Sequence, residues 1–156
     1  MIRFLTTAEV VEEQGRQLEL YGLGDPGIID SSRLDSAVHS PQAGFGDTYL
    51  FDSIFQMAAA YLVRLVKAHA FGNANKRTGL SASLIFLTMN GYVVTGGQDA
   101  LIDLVIACAT GDGTIDNAES FFTQNCMEEG GNCDYTKASA RVHERFGPVF
   151  ARLADM

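Results

Sequence analysis

A chain of 156 residues with 47% hydrophobic and 19% charged side chains has the length and composition of one domain built around a single core, which excludes a disordered chain or a coiled coil. Its formal net charge of -8 repels a phosphate backbone over most of the surface, so direct nucleic-acid binding is not expected and any anion site must be a local exception. No apolar run reaches the roughly 18 residues of a membrane span, and the amino-terminal stretch with Arg3, Glu9, Glu12 and Glu13 lacks a signal-peptide core, so the expected location is cytoplasmic with no membrane contact. Cys108, Cys126 and Cys133 are odd in number and have no C-x-x-C spacing, which predicts neither a disulfide framework nor a zinc site.

Thr6 and Glu9 have capping-box spacing ahead of a helical pattern over 7–21, with Val10, Val11, Gln14, Leu18 and Tyr21 in register. Gly22, Gly24, Asp25, Pro26 and Gly27 end it, and Ser32 with Asp35 predicts the cap of a short helix to His39. Residues 40–50 carry turn formers and the aromatics Phe45 and Tyr49 without a sustained period, which reads as a loop. The stretch 51–68 is a wide apolar helix, with Ile54, Met57, Ala58, Tyr61, Leu62 and Leu65 on one face. After a break at 72–75, a second apolar helix over 76–90 ends at Gly91 as a C′ residue, and the two form the expected core pair. Helices are predicted over 98–109, over 116–127 with Asp116 and Glu119 as its start, and, after Gly130 and Gly131, over 135–153 with Val142, Phe146, Val149, Phe150 and Leu153 apolar. Only Val93 and Val94 hint at strand, so the expected class is all-α. The run Asp112-Gly-Thr-Ile-Asp116 fails the EF-hand pattern and reads as a cap.

The chemistry concentrates in His69-Ala-Phe-Gly-Asn-Ala-Asn-Lys-Arg-Thr78, which joins the two core helices. Lys76 and Arg77 fall in the first turn of the second helix, where the partial positive charge of the N-terminus disfavours cations. A phosphate held by the unpaired N–H groups of that turn removes the conflict, with Arg77 as a fork and Lys76 as a point charge. Gly72 and Ala74 let a ligand approach the backbone, Asn73 and Asn75 offer amides, and His69 across the turn is the side chain suited to take a hydroxyl proton near neutral pH. Each residue also has a plainer reading: His69 as a helix C-terminal dipole partner, Lys76 and Arg77 as a solvated face, Phe71 as a core anchor. In ten residues of an acidic protein, the plain readings would all have to hold together. A Walker-type loop is excluded, because a helix precedes the segment and no second glycine comes before Lys76.

The segment resembles the Doc motif H-x-F-x-D-A/G-N-K-R-T, a variant of the Fic motif H-P-F-x-D/E-G-N-G-R-x-x-R, and the resemblance extends over about 120 residues, from Tyr21-Gly22 through Leu84 to Tyr92. It implies a compact, all-α Fic/Doc-type helical bundle over 1–130 and, over 131–156, an extra C-terminal helix packed on it. It further implies a bacterial toxin of a toxin–antitoxin pair that transfers phosphate from ATP, with Mg²⁺, to a protein hydroxyl, namely a threonine of elongation factor Tu. By position, His69 would be the base, with Lys76 and Arg77 in the catalytic constellation, and Asn73, Asn75, Lys76, Arg77 and Thr78 would contact the nucleotide. Lys76 in place of the Fic glycine, and Leu80 in place of its second arginine, favour phosphoryl over adenylyl transfer. Asn73 stands in the acidic, metal-binding position, where a neutral amide is a weaker ligand for a hard dication. The family's self-inhibiting motif, Ser/Thr-x-x-x-Glu-Gly/Asn, does not occur, so a separate cognate antitoxin is the expected partner. Adenylyl transfer, or a binding module that has lost catalysis through Asn73, are the rival readings.

Overall fold

A computed structural model describes residues 1–22 and 24–156; of the turn predicted after Tyr21, Leu23 lies outside them. Among the described residues the chain forms seven α-helices and two small antiparallel strand pairs, the helical architecture expected, closed by a long C-terminal helix.

Helix α1 (Thr7–Tyr21) starts at the predicted capping box: the Thr6 hydroxyl accepts from Glu9 N at 3.1 Å and the Glu9 carboxylate from Thr6 N at 2.9 Å. Helix α2 (Ser31–His39) is capped by Asp30, not Ser32. The cause is tertiary: the N–H groups of Ile29 and Asp30 both donate to Ala70 O, which fixes Asp30 in the extended conformation a cap requires. The expected loop at 40–50 is more regular than its sequence, with a 3₁₀ turn (Ser40–Gln42) and a hairpin of β1 (Gly44–Phe45) and β2 (Thr48–Tyr49). Helix α3 (Ile54–Ala68) begins three residues later than periodicity indicated, because Ser53 takes the cap.

Helix α4 (Asn75–Met89) is followed by β3 (Tyr92–Val94), α5 (Gln98–Thr110), α6 (Ile115–Asn125), β4 (Cys126–Glu128) and α7 (Tyr135–Ala154). The start predicted at Asp116 is corrected to Thr114, which forms a reciprocal capping box with Asn117, two residues before the expected pairing partner Glu119. The predicted run to Met127 ends at Asn125 because β4 pairs with β3, Val93 opposite Met127.

The center is the α3–α4 pair; α1 and α7 flank α4, while α2, α5 and α6 flank α3. Close approach is possible because Gly79 faces α3: a Cβ there would lie 2.8 Å from Val66 Cγ2 and 3.2 Å from Leu62 O. α4 is buried on nearly all sides, including Ser81 and Ser83.

The buried polar groups of the α1–α4–α7 seam converge on Glu13, which is 0% exposed. Its carboxylate accepts from Ser81 Oγ, Tyr135 OH and Ser139 Oγ, each at 2.6 Å, and lies 2.8 Å from His143 Nε2. An ionised carboxylate only accepts, so that nitrogen carries the proton, leaving Nδ1 to face Tyr21 OH at 3.1 Å. Burial alone would raise the Glu13 carboxyl, but hydrogen bonds from His143, Ser139, Ser81 and Tyr135 outweigh it and hold it at about 2, against 4.5 ordinarily. A carboxyl depressed on folding stabilises fully above its unfolded value, and that stabilisation is lost as pH falls from 4.5 towards about 2. Urea titrations across that window are expected to show a loss on the order of 3 kcal/mol that is absent in Glu13→Gln, itself destabilised by roughly 2–4 kcal/mol at pH 7. Gly79→Ala is expected to lower stability by about 1–3 kcal/mol through overpacking, read as a depressed melting midpoint.

Candidate active site

The loop between α3 and α4 is bracketed by two non-glycine residues in the left-handed region, His69 at φ 48° and Ala74 at φ 63°. Such conformations cost on the order of 1–2 kcal/mol each and persist only where surroundings impose them. Here the constraint comes from a short antiparallel bridge between Ile28 and Phe71, supported by Ile29 N and Asp30 N on Ala70 O and by Gly72 N on Gly27 O. Asn75 supplies the second constraint, its Oδ1 accepting from Phe71 N at 3.1 Å and its Nδ2 donating to Phe71 O at 2.9 Å. Phe71 is buried and joins the core, in line with its reading as an anchor.

The result is a cavity of about 380 Å³ between the loop and the ends of α5 and α7. One wall is polar: His69, Gly72, Asn73, Ala74, Asn75, Lys76 and Arg77. Ala74, the residue before α4, provides no side-chain cap, unlike Thr6, Asp30, Ser53, Thr114 and Asp134 at five of the other helices. The first intrahelical donor is Thr78 N, onto Ala74 O at 2.9 Å, so Asn75, Lys76 and Arg77 begin the helix with N–H groups that have no carbonyl one turn back. Those donors and the helix dipole favour an oxyanion at this point.

The side chains divide into two groups. His69 is exposed at the cavity and makes no hydrogen bond among the described residues, which leaves its ring available to a ligand. Lys76 Nζ donates to Met156 O at 3.2 Å and keeps two further N–H bonds. Asn73 is held by its surroundings: Nδ2 donates to Asp25 O at 3.4 Å, its own carbonyl accepts from Gln14 Nε2 at 3.3 Å, and a Cβ on Gly24 would collide with its side chain. Arg77 is buried and its Nη1 donates to Gln17 O at 3.2 Å and Gly22 O at 3.0 Å, so it ties the end of α1 to the cradle while lining the cavity; burial draws its pKa below the usual value. Thr78, expected to contact the nucleotide, does not line the cavity: it is 1% exposed, its hydroxyl has no partner among the described residues, and its position on α4 turns it into the interior.

The donor set fits the phosphates of a nucleotide. It does not by itself form a cation site, since Asn73 offers one neutral amide oxygen and no group of three His, Cys, Asp or Glu side chains converges among the described residues. Gln14, Gly24, Ala109 and the last turn of α7 also build the site and carry no local signal in the sequence, because they reach it only through long-range packing.

The family model described as Fic/DOC family matches residues 4–87, which include the whole loop and most of α4. The chain is 33% identical over 111 residues to the "Protein kinase doc" of Escherichia phage P1, covering 71% of this chain and 86% of that protein. It is also 33% identical over 96 residues to the "Toxin Doc" of Mycolicibacterium smegmatis, covering 60% and 74% respectively. The family model's match over more than half of the chain, together with the 33% identity to the phage P1 protein, makes this protein a member of the Fic/DOC family.

Proposed function

We propose that the protein is a Doc-type toxin that transfers the γ-phosphoryl group of ATP to a hydroxyl of a target protein. The observation that carries this reading is that the uncapped N-terminus of α4, with Lys76 in its first turn, and an unengaged His69 line one cavity. Phosphates dock on the N–H groups of the α4 first turn and on the Lys76 ammonium, while His69 accepts the proton of the incoming hydroxyl. The hydroxyl oxygen bonds to the γ-phosphorus, the bond to the β-phosphate oxygen breaks, and ADP leaves with that electron pair. A divalent cation accompanying the nucleotide would neutralise phosphate charge, with the Asn73 amide oxygen as the ligand this chain would offer it. The target implied by the resemblance is a threonine of elongation factor Tu, and the partner is a cognate antitoxin, in keeping with one relative named as a kinase and another named as a toxin.

The deciding experiment incubates the protein and His69→Ala with Mg²⁺, elongation factor Tu and γ- or α-labelled ATP. Label from the γ position is expected, reduced by about 10²–10⁴-fold in His69→Ala. Label from the α position would instead establish adenylyl transfer, and no label with either nucleotide would leave a binding module. Asn73→Asp is expected to tighten Mg²⁺-dependent ATP binding several-fold in titration calorimetry without changing binding in chelator, since a carboxylate is the stronger ligand for a hard dication.

A further inference from the structure

The cavity has a second wall of different chemistry. Besides the cradle, the same cavity is lined by Val66 of α3, Ala109 of α5, and Leu153 and Ala154 of α7, none of which carries a polar side chain, and by Met156. Ala109 and Ala154 have only methyl side chains and Val66 and Leu153 are buried, so this part of the lining is low and apolar. It is also fixed in place: Leu153 belongs to the core, Arg152 Nη1 pairs with Asp99 Oδ1 at 2.8 Å across the α5–α7 seam, and Lys76 Nζ reaches over the cavity to Met156 O at 3.2 Å. Charged groups meet on one side and are excluded from the other.

We propose that Ala109, Leu153 and Ala154 form the subsite for the nucleobase of the nucleotide whose phosphates the cradle holds, so that the last turn of α7 contributes to nucleotide recognition. The inference rests on the nucleotide reading given above and goes beyond it. A nucleoside triphosphate is itself divided into a charged phosphate chain and a flat, uncharged ring, and a cavity of about 380 Å³ with one cationic and one apolar wall matches that division. Burying a ring face against methyl and methylene groups favours binding by its apolar area. The bond from Lys76 to Met156 O links the cradle to the residue that follows the last turn of α7. The family match at residues 4–87 contains Val66 and the cradle but neither Ala109 nor α7, so the base subsite belongs to the part of this chain outside that match.

The test compares the affinities of ATP and inorganic tripolyphosphate, in one Mg²⁺ buffer, for the unaltered protein, for Ala109→Leu and for a chain stopped after Arg152. ATP is expected to bind roughly tenfold more tightly than tripolyphosphate to the unaltered protein; both variants should close that gap, and in Ala109→Leu, which keeps the Lys76–Met156 bond, tripolyphosphate binding should change by less than about twofold. Ala109→Leu removes no helix, so it keeps the test decisive if the shortened chain melts early. ATP binding no tighter than tripolyphosphate, a gap that survives in Ala109→Leu, or ATP binding that tightens on shortening α7 would each overturn the subsite while leaving the phosphate cradle intact. Failure of tripolyphosphate and ATP alike to bind the unaltered protein would overturn the cradle, and the subsite with it.

Discussion

The arrangement around the cavity depends on one buried carboxylate. Glu13 sits on α1, and the groups that satisfy it come from α4 and α7, so three helices widely separated in sequence are joined at one point. An isolated carboxylate in that position would be untenable, and the full complement of donors is what makes it compatible with the interior. The same seam places Gln14, the next residue on α1, and Gln17, one turn further on, against the cradle: Gln14 holds the Asn73 carbonyl and the Gln17 carbonyl takes Arg77. The charge center is thus the reason the site has a fixed back wall.

The cradle uses backbone more than side chain. Asn75 and Arg77, residues a motif reader would assign to phosphate, make their observed hydrogen bonds to the loop's own Phe71 and to the carbonyls ending α1. Their cationic and amide character still borders the cavity, but their first effect is to impose a loop geometry that exposes the α4 N-terminus. Lys76 and His69 are then the groups best placed to act directly on a ligand.

Much of this was legible in the sequence where the signal is local. The Thr6–Glu9 capping box, the two apolar core helices and the chemistry of the 69–78 segment follow from residues a few positions apart, and the structure agrees with the first two closely. The errors fall where tertiary pairing outweighs local preference: Asp30 rather than Ser32 caps α2 because Ala70 O holds its backbone, and Met127 leaves its helix because Val93 lies opposite. Glu13 read as one more acidic residue near the amino terminus, since nothing nearby announces the serines, tyrosine and histidine found at positions 81, 135, 139 and 143. The apolar wall was hidden for the same reason, as Ala109 and Ala154 are ordinary helix residues until folding sets them opposite a histidine.

The bridge between residues 27–30 and 70–72 has a thermodynamic consequence. Its backbone hydrogen bonds, with the double bond of Asn75 to Phe71, hold both left-handed residues before any ligand arrives. Association then requires little ordering of main chain, so the entropic penalty falls mainly on the Lys76 side chain and on the ligand itself. A cradle of this kind discriminates by fit rather than by rearrangement, and its selectivity should vary little with temperature compared with that of a loop that folds around its guest.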